Sequence, residues 1–201
     1  AETFSFPQYG KKSAGPVEEL LNGRYGPPDE VAPKIASLFY AIDRFDKSSD
    51  IKALLATGKT LILDRYVDSN AAHQGGKIAD ISSREQFIDW LYDLEYGIIG
   101  CPRPDLSIIL HMPAQVSFDL VAKKQSRTYI DGEQKRDAIE QNLAHFKRSE
   151  KCYLWLAARY PKTHTVIECM EGETLLSPEA IHEKIWSVLE RYRVTLRQQV
   201  S

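Results

Sequence analysis

The run TLILDRY at residues 60–66 carries the strongest fold signal of this 201-residue chain. Its first part is a short apolar stretch, and Asp64 and Arg65 follow it directly. A short run that is apolar on both faces is typical of a parallel strand buried between two layers of helices. Ligands of such sheets bind beyond the carboxyl ends of the strands, so Asp64 and Arg65 are candidates for a functional site. A structural ion pair between them is the alternative interpretation.

Similar apolar runs alternate with helical patterns along the rest of the chain. The sequence predicts three further strands, at residues 3–6, 106–110 and 165–169. It predicts helices at residues 16–21, 29–45, 49–58, 68–72, 84–96, 114–124, 137–159 and 177–200. Asp29 is the expected cap of the second helix, Ser49 or Asp50 that of the third, and Gly58 ends the third helix. This alternation predicts one α/β domain, residues 1–201, with right-handed crossovers.

Composition excludes several classes of protein. Hydrophobic residues make up 43% and charged residues 27% of the chain, which is typical of globular proteins rather than disordered or disulfide-rich ones. With 26 basic and 28 acidic residues, the net charge of −2 argues against bulk electrostatic binding to nucleic acid or to a membrane surface. The sequence shows no signal peptide and no apolar run long enough to span a membrane. Three cysteines without a CxxC pair, and histidines without zinc-ligand spacing, indicate reduced thiols, a cytoplasmic location and no zinc site.

Two stretches approach the phosphate-binding P-loop pattern GxxxxGK[ST], and neither satisfies it. Residues 10–15 have two suitably spaced glycines, but Pro16 and Val17 follow where the pattern needs lysine and a hydroxyl. Residues 53–60 end in Gly-Lys-Thr, but they run from a helix into a strand, which is the wrong order. Neither stretch is therefore expected to be a working P-loop.

Three motifs, in this order, resemble the signatures of the thymidylate kinase family. They are FPQYG at residues 6–10, LFYAIDR at 38–44 and DRYVDSNAAHQG at 64–75, of which the third is highly specific. The resemblance covers essentially the whole chain. It implies a three-layer, P-loop kinase-like parallel sheet flanked by helices, a mobile LID loop and a homodimer. It also implies transfer of the ATP γ-phosphoryl group to dTMP, giving dTDP, with Mg²⁺ as cofactor.

The resemblance also assigns roles in binding the acceptor dTMP. Its implied contacts are Phe6, Pro7, Tyr9, Tyr40, Arg44, Arg65, Ser69, Asn70, Gln74 and Tyr153. Tyr40 matches an aromatic residue that stacks on thymine, and such stacking contributes roughly 1–3 kcal/mol per base. A core position in an amphipathic helix is the alternative for Tyr40. Arg44 and Arg65 match a pair that holds the dTMP phosphate.

Catalytic roles are implied for two regions. Asp64 matches a residue that orders metal or water beside Arg65. The polar segment at residues 123–136, with five Lys or Arg residues and Asp131-Gly132, matches the LID. Arg127 and Arg136 within it are expected to reach the transferring phosphoryl group. A solvated charged loop is the alternative for both arginines, and contact with nucleic acid is a weaker one.

The chain departs from the family pattern at two points. His73 stands where many relatives carry Tyr beside the sugar. The P-loop of the family lies before the Phe-Pro motif, whereas this chain begins at Ala1, five residues before Phe6. We therefore expect the N-terminal strand and P-loop helix to be absent from this chain, and a segment of about 25–30 residues, one βα unit, to precede it. A non-catalytic nucleotide-binding relative and a kinase for another nucleoside monophosphate are the alternative functions.

Overall fold

The strands of the computed structural model, which describes residues 1–125 and 143–199, form three two-stranded sheets. They are β1 (Glu2–Ser5), β2 (Leu61–Asp64), β3 (Ser107–His111), β4 (His164–Glu168), β5 (Met170–Glu171) and β6 (Thr174–Leu175). β1 pairs with β2 in parallel, and β3 pairs with β4 in parallel, which confirms the four predicted strands to within one or two residues. The small antiparallel pair β5–β6 was not predicted. Gly172 forms its turn with a φ of 59°, which glycine adopts without strain.

Seven α-helices surround these strands within the described residues. They are α1 (Gly15–Leu21), α2 (Pro33–Ala56), α3 (Val67–Gly75), α4 (Ile81–Tyr92), α5 (Ala114–Gln125), α6 (Leu143–Arg159) and α7 (Pro178–Gln199). A π-helical segment, Asp93–Ile98, continues α4. The alternation of parallel strands and helices confirms the predicted α/β class. Among the described residues, no helix combines the length and the apolarity needed to cross a membrane.

The prediction of two helices within residues 29–58 is wrong, because α2 runs unbroken through this segment. The helix begins at Pro33, whose fixed φ suits the first helical position, so Asp29 lies outside it and caps nothing there. Ser49 and Asp50 lie in its interior, where neighbouring Ser48 turns its hydroxyl back to the Phe45 carbonyl, at 2.9 Å, instead of starting a new helix. Gly58 follows the helix with a φ of 77°, as expected of a residue that ends one.

Further boundaries differ from the predictions, among them the end of α3, which runs to Gly75 instead of residue 72. α4 begins three residues earlier than expected because Asp80 accepts a hydrogen bond from the Ser83 backbone N–H, at 2.7 Å, and so caps it. The predicted LID, residues 123–136, overlaps the end of α5 at residues 123–125, which are helical. The rest of that segment, with Arg127 and Arg136, lies outside the described residues.

The parallel strands form two separate pairs rather than one continuous sheet, as far as the described strands show. Ile62 of β2 and Leu110 of β3 are consequently 55% and 47% exposed, although a covered parallel sheet buries such residues on both faces. The side chain of Asp68, at the start of α3, joins this helix to the β3–β4 pair. It accepts hydrogen bonds from Tyr92 and from Ser107 of β3, and its carboxylate lies 3.2 Å from His164 of β4.

The helix α3 is the centre of the molecule. Its Ala71 and Ala72 are buried in a cluster with Phe87, Ile88, Leu91, Cys152 and Leu156 of α4 and α6. Gly76, just after α3, permits the close approach of α6, because a Cβ there would lie 2.9 Å from the Arg148 carbonyl oxygen. All three cysteines are buried and none forms a disulfide, which agrees with the expected free thiols.

Candidate active site

A cavity of about 270 Å³ opens beyond the carboxyl ends of three strands. Phe6 and Pro7 reach it from the end of β1 and are joined by a cis peptide bond. Arg65 reaches it from the end of β2, and His111 from the end of β3. This position is where open α/β sheets bind their ligands.

The structure brings together all ten residues that the sequence predicts to contact substrate. Each of them lines this one cavity: Phe6, Pro7, Tyr9, Tyr40, Arg44, Arg65, Ser69, Asn70, Gln74 and Tyr153. They come from the ends of β1 and β2 and from α2, α3 and α6, so the chain must fold before they meet. Their individual roles remain predictions.

Arg65 occupies an unusual backbone conformation at the end of β2. Its φ of 59° lies in the left-handed region, which non-glycine residues rarely adopt and which is concentrated at functional sites. The residue is exposed, and one terminal guanidinium nitrogen lies 3.2 Å from His73 Nε2. The turn thereby brings a guanidinium to the cavity wall, where it can meet an anion.

Arg44 contributes to the same wall in a different way. Its side chain is only 2% exposed and forms a forked ion pair with Glu95, which is fully buried. Burial opposes the charged form of Arg44, but the Glu95 carboxylate outweighs this and raises the pKa of the guanidinium. Because Glu95 neutralises Arg44, we infer that Arg65 supplies more of the positive field available to a phosphate than Arg44 does.

The amide side chains of α3 offer unused hydrogen-bonding capacity. Asn70 donates to the Ser37 carbonyl, at 3.2 Å, while its Oδ1 atom has no partner among the described residues. Gln74 Oε1 is likewise buried without a partner in the described part of the chain. Buried polar atoms are nearly always hydrogen-bonded in folded proteins, so two orphan acceptors in a cavity wall indicate a missing donor.

Aromatic side chains also line the cavity. Phe6 is buried and its ring centroid lies 5.8 Å from that of Tyr66. Tyr40 is partly buried and packs beside Val17 and Leu21 while also lining the cavity, so it belongs both to the helix packing and to the site. The Tyr153 hydroxyl donates to Ser69 Oγ at 2.9 Å, which joins α6 to α3.

Asp64 ends β2 directly before Arg65 and is not itself part of the cavity wall. It is exposed at the end of β2, and its Oδ2 atom accepts a hydrogen bond from Ser5 at 3.1 Å. Within the described residues, no group of three or more His, Cys, Asp or Glu side chains could hold a metal ion. A single carboxylate nevertheless suits Mg²⁺, which proteins bind through one or two carboxylates together with substrate phosphates.

Several site residues were missed by the sequence analysis. Glu95 was predicted only as part of a helix, and no local pattern marks its pairing with Arg44, 51 residues away. His145 and Ser149 of α6 also line the cavity, and no local pattern distinguishes them from other residues of that helix. Their contacts depend on how α6 packs against α3.

His111 joins β3, β4 and α6 through two carboxylates. Its Nδ1 atom lies 2.7 Å from Glu168, and its Nε2 atom lies 3.0 Å from Glu150. Partial burial opposes the charged imidazole, but the hydrogen bonds to Glu168 and Glu150 outweigh it and raise the pKa of His111. The imidazolium is therefore the form that this packing favours.

We predict that His111→Gln destabilises the protein more at pH 6 than at pH 8.5. A raised folded-state pKa gives stability that is complete below the unfolded value of about 6.5 and is lost as pH rises through the folded value. The expected loss at pH 6 is about 1 kcal/mol, the upper range for partly exposed ion pairs. Urea unfolding at both pH values measures it, with the exposed His182→Gln as control. A loss that is equal at both pH values would contradict this prediction.

Strands that end at a cavity lined by arginines, amides and aromatic rings define the class of the protein. This arrangement is that of an α/β nucleotide-binding protein. In such a protein, cationic side chains bind the phosphate, whereas aromatic rings and amides contact the base. A family model described as thymidylate kinase matches residues 1–185. The chain belongs to the thymidylate kinase family, a family of nucleotide kinases and hence of phosphotransferases.

Individual relatives agree with this assignment. The chain is 29% identical over 158 residues to a thymidylate kinase of Mycobacterium tuberculosis, a match that covers 78% of this chain and 72% of the relative. It is 30% identical over 175 residues to a probable thymidylate kinase of Thermococcus onnurineus, covering 85% and 73%. The solved structure of a thymidylate kinase from Candida albicans superposes with a TM-score of 0.66 over 96% of this chain and 80% of that one. At 19% identity, this last likeness shows the fold alone.

Proposed function

We propose that this protein transfers the γ-phosphoryl group of ATP to dTMP, producing dTDP and ADP. The observation that carries the proposal is the convergence of all ten predicted acceptor contacts on one cavity. Membership of the thymidylate kinase family supports the same reaction. A dTMP phosphate oxygen attacks the γ-phosphorus, and the bond between that phosphorus and the β–γ bridging oxygen breaks. The acceptor already carries a nucleophilic oxygen, so positioning and charge neutralisation supply most of the catalysis.

The cavity offers complementary groups for the phosphate and for the base of dTMP. The exposed guanidinium of Arg65, assisted by Arg44, meets the phosphate through charge-assisted hydrogen bonds. Tyr40 stacks on the base. Thymine carries one imide N–H donor, and the orphan oxygens of Asn70 and Gln74 are acceptors that a small rotation of either amide would present to it.

Asp64 and the segment at residues 123–136 would act on the phosphate donor, ATP. Asp64 would hold Mg²⁺ through the carboxylate oxygen that Ser5 does not engage. The metal, when bound, supplies neutralisation of the phosphate charge. Arg127 and Arg136 would approach the transferring phosphoryl group when that segment closes over the site and excludes water.

A coupled assay for ADP on the full chain, with ATP, Mg²⁺ and dTMP, tests this proposal. We expect ADP formation that depends on dTMP and exceeds that with dGMP, dCMP or UMP. Binding of dTMP without ADP formation would replace the proposal with a non-catalytic nucleotide-binding protein. A preference for another nucleoside monophosphate would replace the substrate.

We also propose that the protein forms a homodimer through α2. Four apolar side chains spaced by three, four and three residues lie on its outer face: Ile35, Leu38, Ile42 and Phe45, exposed by 50%, 37%, 49% and 60%. A continuous exposed apolar stripe marks an interaction surface, and such a stripe can pack against its own copy across a two-fold axis.

Ile42→Glu is therefore expected to convert a dimer into a monomer. The substitution places a carboxylate at the centre of the stripe, where it would face its symmetry mate without a counter-ion. Sedimentation velocity measures the result, with Ile81→Glu on α4 as the matched control, since Ile81 is 59% exposed and lies off the stripe. A monomeric unmodified protein, or a dimeric Ile42→Glu variant, would rule out this interface.

A further inference from the structure

Two histidines lie in series behind Arg65. His73 Nε2 lies 3.2 Å from the Arg65 guanidinium, and His73 Nδ1 lies 2.9 Å from His145 Nε2. His145 Nδ1 in turn lies 2.9 Å from Asp29 Oδ1. The two rings are nearly parallel, with an interplanar angle of 15° and ring centroids 5.1 Å apart. Four side chains from three separate parts of the chain thus form one continuous series, which we call the histidine chain: Asp29, His145, His73 and Arg65.

The donors and acceptors of the histidine chain can be ordered in only one way when both imidazoles are neutral. A guanidinium has donors and no acceptor, so His73 Nε2 must accept and the proton of His73 must be on Nδ1. That proton is donated to His145 Nε2, so His145 must also carry its proton on Nδ1. The carboxylate of Asp29 accepts this last proton. Every bond has one donor and one acceptor, and both imidazoles are fixed as the Nδ1–H tautomer.

The surroundings keep this arrangement neutral at its centre and charged at its two ends. Desolvation lowers the pKa of both imidazoles, and for His73 the neighbouring cations Arg65 and Lys77 lower it further. Burial opposes ionisation of Asp29, but His145 and Arg148 outweigh it and hold the pKa of Asp29 below its ordinary value. The charged or titratable groups that face the two rings are Arg65, Lys77, Asp29, Arg148 and Tyr153.

The histidine chain is also held rigidly. His145 is 2% exposed, and Ser149, one turn further along α6, lies 3.2 Å from His73 Nδ1 and 3.3 Å from His145 Nε2. Arg148 pairs with the second oxygen of Asp29. Lys77 donates to the carbonyl oxygens of Pro28 and Val31, at 2.8 and 3.3 Å, and so fixes the loop that carries Asp29.

We propose that Asp29, His145 and His73 are positioning residues that direct the Arg65 guanidinium toward the phosphate of the nucleotide bound in the cavity. This inference rests on the proposed function. Asp29 fixes the His145 tautomer, His145 fixes that of His73, and His73 then presents a lone pair that engages one N–H of Arg65. The reversed His73 tautomer would present an N–H to the guanidinium, and the bond would be lost.

The first test is spectroscopic and needs no ligand. We expect 15N spectra of the histidine-labelled protein at pH 7 to show the Nδ1–H tautomer for both His73 and His145, assigned with the His73→Phe and His145→Gln variants. Neutral histidine with its proton on Nε2 at either position would overturn the proposal. The tautomers are measured on the unmodified protein, and the variants serve only to assign its signals.

The second test separates phosphate binding from nucleoside binding. We expect Asp29→Asn, which lies outside the cavity wall, to weaken dTMP binding by about tenfold, the value of one hydrogen bond, and to leave thymidine binding unchanged. His73→Phe should also weaken dTMP binding, and the exposed His182→Gln should change neither affinity. Equal weakening of both ligands by Asp29→Asn would indicate a merely structural role, and no weakening would indicate none. Failure of the proposed function would instead appear as absence of ADP formation by the unmodified protein, with the tautomers unaffected.

Discussion

Arg44→Met is expected to lower the free energy of unfolding by about 3–5 kcal/mol, because it leaves the carboxylate of Glu95 buried without a counter-ion. Arg44 is 2% exposed and Glu95 is fully buried, so water cannot replace the lost partner. The loss is comparable to a large part of the net stability of an ordinary domain, which is about 5–15 kcal/mol. Urea unfolding followed by circular dichroism measures it.

Two further variants show whether the buried charge is the cause. The double variant Arg44→Met/Glu95→Leu removes both charges and is expected to recover most of the lost stability, since apolar replacement of a buried pair is often neutral or favourable. Arg24→Met removes an exposed arginine that lies 3.6 Å from Glu19 and should cost less than about 1 kcal/mol. A double variant as unstable as Arg44→Met alone would refute this explanation.

Arg65→Ala is expected to lower kcat/KM for dTMP by about 10²–10³-fold, the range found when one positioned donor to developing charge is removed. Arg65 is exposed and lines the cavity, and we expect its guanidinium to act on the ligand more than on the fold. Stability should therefore stay within about 0.5 kcal/mol of the unmodified protein, as is usual for exposed positions. Steady-state kinetics with dTMP as the varied substrate, together with urea unfolding, measure both quantities.

Arg65→Lys refines this expectation. Lysine keeps the positive charge but lacks the planar fork that engages a phosphate and His73 at the same time. Its kcat/KM should lie between those of the unmodified protein and Arg65→Ala, and Arg24→Ala should leave activity unchanged. An Arg65→Ala variant with unimpaired kcat/KM would exclude Arg65 from the acceptor site.

Residues 29–58 show the limits of reading local structure from sequence. Asp29, Ser49 and Asp50 all have side chains that can cap helices, and Asp29 and one of the other two were predicted to do so. Whether such a side chain caps a helix depends on competing partners. Pro33 starts α2 beyond the reach of Asp29, and His145 and Arg148 of α6 provide that carboxylate with other partners.

The order and spacing of the three motifs were sufficient to identify the family, and nine of the ten predicted contact residues that line the cavity lie within them. The tenth, Tyr153, came from the resemblance over the whole chain. The motifs succeed because a motif that directly follows a strand marks the side chains that lie beyond the carboxyl end of that strand. This position depends on the local sequence alone. The pairing of Arg44 with Glu95, 51 residues away, and of Asp29 with His145, 116 residues away, has no local signal. These pairs arise from the packing of α2 beside the segment that follows α4, and of α6 beside α3. Tertiary structure alone therefore decided that Arg44 is buried in the cavity wall beside a carboxylate and that Arg65 is exposed at the end of β2.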